Sequence, residues 1–455
     1  MKEERTEYIK CIQALEGDIS SRKTALEKIK ASDIYAHGRP IPFSFVPYLY
    51  NRKDMDYLRS VARTTCTILK KVIKRYLENK EYRKLFCFPA EIERLILLPC
   101  NYEQLLPIGR FDLFINEDDL SFKFCEFNAD GSGGMSRDTT FCKVLSETES
   151  FKCFAQKHTS VKNFDLINSW ADTFLRIYKS DPISKKYPTP TVAITDFEES
   201  GVKSDFDMFI EAFKKRGASA RFVDVRKFVF DGEALYDPTD NTRIDAIYRR
   251  AVTSEILQHL DECSALIKAV EQEKVCLIGH FRTNIIHTKM INIALFDESR
   301  NEFLTDEEIA FIENHVCKTY HLENEKCDVE SIKSNKDAWI IKPADDYGAH
   351  GVFPGVDFKQ SEWERIVNEH LNKGYIIQEF YQPKTVDIVL PEIDENAAEG
   401  SNNQDNCKIE SWQSMPGFYI YDCELAGFYC RLGQNGIIAL GDAGGICAPV
   451  FGVDL

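Results

Sequence analysis

The stretch from Arg110 to Gly134, RFDLFINEDDLSFKFCEFNADGSGG, leaves this chain the fewest choices. Apolar and polar residues alternate through Phe111 to Ile115 and again through Phe122 to Phe127, with a polar break at Asn116 to Leu120. That pattern predicts a β-hairpin running into a glycine-rich turn. If Asp112 pairs with Glu126, the same register sets Arg110 opposite Asn128, and side chains two apart share a face. One face of the ribbon then carries Arg110, Asp112, Glu126 and Asn128. Two carboxylates and an amide oxygen are the ligand type of a hard cation such as Mg²⁺, which keeps open positions for phosphate. The same spacing also suits a hairpin whose polar face is simply solvated.

A chain of 455 residues has length for two or three compact units without disulfide or metal staples. Its 44% hydrophobic and 29% charged residues are ordinary for a soluble enzyme. A net charge of −16 with no basic block argues against nucleic acid and anionic membrane surfaces as partners. The segment MKEERTEYIK has no apolar signal core and no apolar run reaches the length of a membrane span, so a cytoplasmic location is expected. The fifteen cysteines contain no CxxC pair, and the nine histidines no HxH or HExxH spacing. Reduced, structural thiols and no zinc site are the expectation.

Along the chain, residues 1–100 read as a helical N-terminal region, with an amphipathic run at Met55 to Leu77, and residues 101–180 as the part holding the hairpin. After the hairpin a short helix is expected from Arg137 to Leu145 with Ser136 as its cap. Gly131, Gly133 and Gly134 either admit an anion to that helix start or form a flexible turn. Residues 185–275 read as a separate α/β unit: strands at Thr191 to Thr195, Arg221 to Val225 and Ile244 to Tyr248, and a helix from Asp205 capped by Ser204 and closed by Gly217. A single capped helix is expected over Ser254 to Val270. It lacks a GxGxxG turn, so no dinucleotide site is expected.

Residues 276–455 are strand-rich again, with Asn284 to Ile286 expected as a strand and capping boxes at Thr305 with Glu308 and Ser361 with Glu364. Here Trp339 to Ile341 is a strand ending on Lys342, followed by the loop ADDYGAHG, in which Tyr347, Gly348 and Gly351 suit a cover over phosphate. A strand from Tyr375 ends in Gln378 and Glu379, placed to meet a base edge. No Walker A loop occurs.

Lysine strand, glycine loop, helix and a strand ending in Gln378-Glu379 together resemble the nucleotide-gripping half of the ATP-grasp superfamily. The order is permuted, because RFD…EFNAD lies roughly 210 residues upstream of the lysine strand. That arrangement is similar to the synthetase domain of glutathionylspermidine synthase over about Leu106 to Phe451, without the amidase domain of its bifunctional members. The resemblance implies a permuted ATP-grasp fold in the α/β (α+β) class, with an additional Rossmann-like α/β domain and the N-terminal helices. It implies Asp112, Glu126 and Asn128 as Mg²⁺ ligands and Arg110 beside substrate and phosphate. It implies Lys289 and Lys342 as ATP-phosphate lysines, Gln378 and Glu379 as the adenine hinge, and Arg431 on the transferring phosphoryl group. Arg282 and the Gly441 to Gly445 cluster compete for the roles of Lys289 and Arg431. The implied activity is ADP-forming ligation of a peptide or amino-acid carboxylate to an amine, with ATP and Mg²⁺ as cofactors. A non-catalytic ATP-binding regulatory module and a small-molecule kinase are the alternatives.

Overall fold

In a computed structural model, which describes residues 1–36, 38–344, 351–392 and 407–455, the hairpin forms in the expected register. Its strands, Ile108–Ile115 and Phe122–Asn128, run antiparallel with Arg110 opposite Asn128 and Asp112 opposite Glu126. The register slips just past Asp112, leaving Cys125 as the extra residue of a bulge. Strict alternation would send Phe124 and Phe127 to opposite faces. The bulge lets Phe122, Phe124 and Phe127 all enter the core while Glu126 and Asn128 face the other way.

The far end of the chain completes this sheet. Glu410–Tyr421 lies beside the first hairpin strand, with Gly417 opposite Asp112 and Tyr419 opposite Arg110, and Glu424–Gly433 and Ile446–Ala448 follow outward. Thr385–Ile388 pairs with the first part of Glu410–Tyr421. The helix Arg52–Glu78 packs on the Glu424–Gly433 strand and buries Met55, Leu58, Ala62, Leu69, Ile73 and Tyr76 at three- and four-residue spacing. Each of the larger aliphatic side chains among these contributes about 1.5–3 kcal/mol on removal from water.

A second sheet is wholly parallel, in the order Cys276–Ile278, Ala246–Arg249, Thr191–Asp196, Ser219–Asp224. Helix Lys203–Lys215 crosses between its first two strands in the chain and buries Phe206, Phe209 and Phe213. The strands expected between residues 191 and 248 form this parallel sheet and the expected helix its crossover, with local corrections. Val202, not Ser204, precedes this helix, and no side chain of its own caps it. The expected helix over Ser254 to Val270 is two, Thr253–Gln258 and Ser264–Glu271, separated by the polar HLDEC turn.

A third, antiparallel sheet runs Thr319–His321, Tyr375–Glu379, Trp339–Pro343, Phe353–Pro354. The Thr305–Glu308 capping box forms at helix Asp306–His315. The one at Ser361 does not: helix Gln360–His370 begins a residue earlier, and the Gln360 amide takes Glu364 at 2.7 Å. Asn284–His287 is a helical turn rather than a strand, because two adjacent apolar residues, Ile285 and Ile286, fit either period. Among the described residues no helix is long and apolar enough to cross a membrane.

Helix Leu166–Ser180 joins the parallel unit to the main sheet through Trp170, fully buried with ring centroids 5.2 Å from both Tyr248 and Tyr421. Trp170→Ala is expected to destabilise by about 3–5 kcal/mol, read as a lower denaturant midpoint.

Candidate active site

A cavity of about 480 Å³ lies where the three sheets meet. The main sheet contributes Arg110, Glu126, Asn128 and Arg431, the antiparallel sheet Lys342, Gln378 and Glu379, and Lys289 enters from the connecting segment. Residues separated by more than three hundred positions thus face one space.

Asp112 does not face it, which departs from the expected metal ligand. Its side chain is wholly buried behind the others. Oδ1 accepts from Arg110 Nε at 2.7 Å, and Oδ2 from Arg110 Nη2 at 2.9 Å, from Asn128 Nδ2 at 2.9 Å and from Arg431. The fork-on-fork pairing with Arg110 is the strong bidentate form. Gly417, across the ladder, makes the room: a Cβ there would sit 2.3 Å from Asp112 Oδ1. Asp112 is therefore the anchor of two arginines.

Glu126 and Asn128 do line the cavity, and the Asn128 amide also donates to Glu126 Oε1 at 3.0 Å. Burial would push the Glu126 carboxyl up. The positive charges of Lys289 and Arg431, with the Asn128 hydrogen bond and Lys342, outweigh burial and hold it well below the usual carboxylate range. Glu126 is ionised at neutral pH.

The glycine turn has a different role from the expected anion cradle. Helix Met135–Ser146 starts after Gly134, whose φ of +102° suits glycine, and Ser136 is already inside it. The anion at its start belongs to the protein: Asp205 accepts from Gly134 N at 3.0 Å and Ser136 N at 2.8 Å. Arg250 Nη2 reaches the same carboxylate at 3.1 Å. From the other side Gly133 O accepts from Arg110 Nη1 at 3.2 Å and Tyr419 OH at 2.6 Å. The turn is clamped between the parallel unit and the main sheet.

On the antiparallel sheet, Lys342 Nζ donates to Gln378 Oε1 at 2.8 Å. The Gln378 side chain is thus committed within the sheet and is not presented as an adenine hinge. Glu379 lines the cavity with Oε2 accepting from Lys318 N at 3.1 Å. The backbone N–H groups of Glu379 and Phe380 are taken by Lys318 O and Ala338 O. Just past the strand, Phe380 and Tyr381 also line the cavity. Gly351 has φ +65° and packs beside Tyr375 and Pro343, while Tyr347 and Gly348 fall outside the described residues. Of the competitors, Arg282 does not line the cavity, nor do Gly441 to Gly445.

Several polar lining residues carry no expectation from the sequence, among them Arg137, Asp196, Arg250 and His287. Asp196 and Arg250 had a usable signal, since they sit at or just past the carboxyl ends of parallel strands, where α/β sheets gather ligands. Burial pushes the Asp196 carboxyl up to about 6, against the pull of Arg250. Arg137 has no signal in its surroundings; it faces the cavity because helix Met135–Ser146 begins where Asp205 caps it.

No family model matches this chain, and no curated protein matches it. Among solved structures it is similar to the apo form of a glutathione synthetase-like effector (GSS30) from Globodera pallida, with a TM-score of 0.57 and 10% sequence identity. The match covers 95% of this chain and 96% of that one. The fold resembles that of a glutathione synthetase-like protein. At this identity the likeness concerns the path of the chain and leaves the chemistry to the site itself.

Two outcomes are expected. Glu126→Gln removes a carboxylate whose pKa is depressed in the folded state, so it costs about 2–4 kcal/mol at pH 7. That difference from the parent persists above the unfolded carboxyl pKa of about 4.3 and shrinks as pH falls below it, which thermal melts across pH 7 to 3 measure. Gly417→Ala drives a methyl into Asp112 and is expected to lower stability by about 1–3 kcal/mol.

Proposed function

We propose that the chain is an ATP-grasp ligase that joins a carboxylate to an amine with release of ADP and phosphate. The observation that carries this is the opposition, across one cavity, of an ionised Glu126 and the cations Lys289, Lys342 and Arg431. A polyanion with its counter-cation satisfies both sets of charges at once, and a nucleoside triphosphate with a divalent metal is such a ligand. The glutathione synthetase-like fold supports the same reading. The resemblance of RFD…EFN and KP…YG..G to glutathionylspermidine synthase favours a peptide or amino-acid carboxylate and an amine acceptor such as a polyamine.

The donor set fits a hard cation. Glu126 is held ionised, and Asn128, whose amide nitrogen donates to Glu126 and to Asp112, would offer its Oδ1 to the metal. Among the described residues no three His, Cys, Asp or Glu side chains form a ready cage, so Glu126 and Asn128 would hold Mg²⁺ together with phosphate oxygens and water, its usual manner of binding. Bound there, the metal supplies charge neutralisation on the phosphates.

The chain's own groups do the rest. Lys289 and Lys342 bind the phosphates, Arg431 faces the moving phosphoryl group, and Arg110 orients the acceptor carboxylate. The γ-phosphorus leaves the bridging oxygen of ADP and bonds to the carboxylate oxygen; the amine nitrogen then bonds to the acyl carbon as phosphate departs with that oxygen, and the amine proton passes to solvent. Positioning and electrostatics carry this reaction, and no protein nucleophile is needed.

The test is ADP release from Mg·ATP with hydroxylamine and pooled peptides and amino acids, with hydroxamates read by mass spectrometry. The expected result is a hydroxamate whose yield falls on the order of a thousandfold in Glu126→Gln. ADP release with a phosphorylated product but no hydroxamate would indicate a kinase instead. Binding of ATP without ADP release would indicate a regulatory module.

A further inference from the structure

We infer that Gln378 is a positioning residue for Lys342, aiming its ammonium at the phosphate region through a directed relay that ends on Thr319 and the Cys317 carbonyl. The inference rests on reading the cavity as a nucleotide site and assigns one of its side chains a role other than contact with the base.

The sheet sets up the meeting. Gln378 lies directly opposite Thr319 on one neighbouring strand and opposite Ile340 on the other. Lys342, two residues beyond Ile340, is its diagonal neighbour on the same face, within reach of a long side chain. All three residues are buried: Gln378 is 3% exposed, Thr319 4% and Lys342 8%. An amide buried this far must spend both ends on partners.

The relay has one direction. Thr319 Oγ1 donates to Cys317 O at 3.1 Å, so its oxygen is the acceptor for Gln378 Nε2 at 2.9 Å. That fixes the amide with its nitrogen toward Thr319 and its oxygen toward Lys342, where Oε1 accepts from Nζ at 2.8 Å. Flipping the amide would set an N–H₂ against an ammonium. The relay therefore selects the orientation that holds the lysine.

Chemistry favours an amide over a carboxylate at this position. A neutral acceptor fixes the direction of the ammonium and leaves its charge available, whereas a glutamate would cancel it. The charge faces the cavity, whose lining Lys342 shares with Glu126, Lys289 and Arg431. A fixed ammonium costs less to order when phosphate arrives than a mobile one does.

The test is a double-mutant cycle on Mg·ATP affinity, measured calorimetrically on the full chain with Gln378→Met, Lys342→Met and the double variant. Gln378→Met is expected to weaken binding about 5- to 20-fold in the parent and to have no further effect in the Lys342→Met background. Thr319→Val, which cuts the far end of the relay with little change of volume, is expected to weaken binding about 2- to 5-fold, an effect that also vanishes in Lys342→Met. Loss of the same size in both backgrounds, for either residue, would overturn the positioning role while leaving the nucleotide site intact. A parent protein that binds no Mg·ATP would overturn the nucleotide reading and this inference with it.

Discussion

Everything at the centre of this molecule depends on one buried carboxylate. Asp112 is taken out of water completely, and that is tolerable only because Arg110, Arg431 and Asn128 all donate to it. The three donors come from three different strands, and one of them lies in the last tenth of the chain. Asp112 thereby fixes the order of the main sheet and the direction of both arginines. Gly417, opposite it, is a consequence of the same packing: the carboxylate occupies the volume a side chain would need.

From that anchor the polarity of the cavity follows. Arg431 and Lys342 reach it from opposite sheets, Lys289 from the connecting segment, and Arg137 and Arg250 from the side of the parallel unit. Arg250 already has Asp205, and Glu126 is held ionised by the others. A chain whose overall charge is −16 lines this one cavity with six arginines and lysines. Low dielectric and water exclusion make such a place far more selective for a polyanion than the net charge would suggest.

Much of this was legible in the sequence because strands are periodic. The pairing of Arg110 with Asn128 and of Asp112 with Glu126 follows from a single register choice, and the parallel unit from its alternation of strand and helix. The division of labour among the polar residues was not. That Asp112 is closed off behind its donors, while Glu126 faces the cavity, depends on the bulge at Cys125 and on Arg431, more than three hundred residues away. The helix after the glycine turn takes its cap from Asp205, a residue no local motif could nominate. Gln378 looked like a hinge because it ends a strand, yet burial obliges its amide to find partners inside the sheet.

The most direct test of the account is a crystal structure of the chain with a non-hydrolysable ATP analogue and Mg²⁺. The expected structure has the triphosphate between Lys289, Lys342 and Arg431, the metal on Glu126 and Asn128, and Asp112 still holding Arg110 from behind. A nucleotide bound elsewhere, or a cavity that stays free of nucleotide at millimolar concentration, would contradict it.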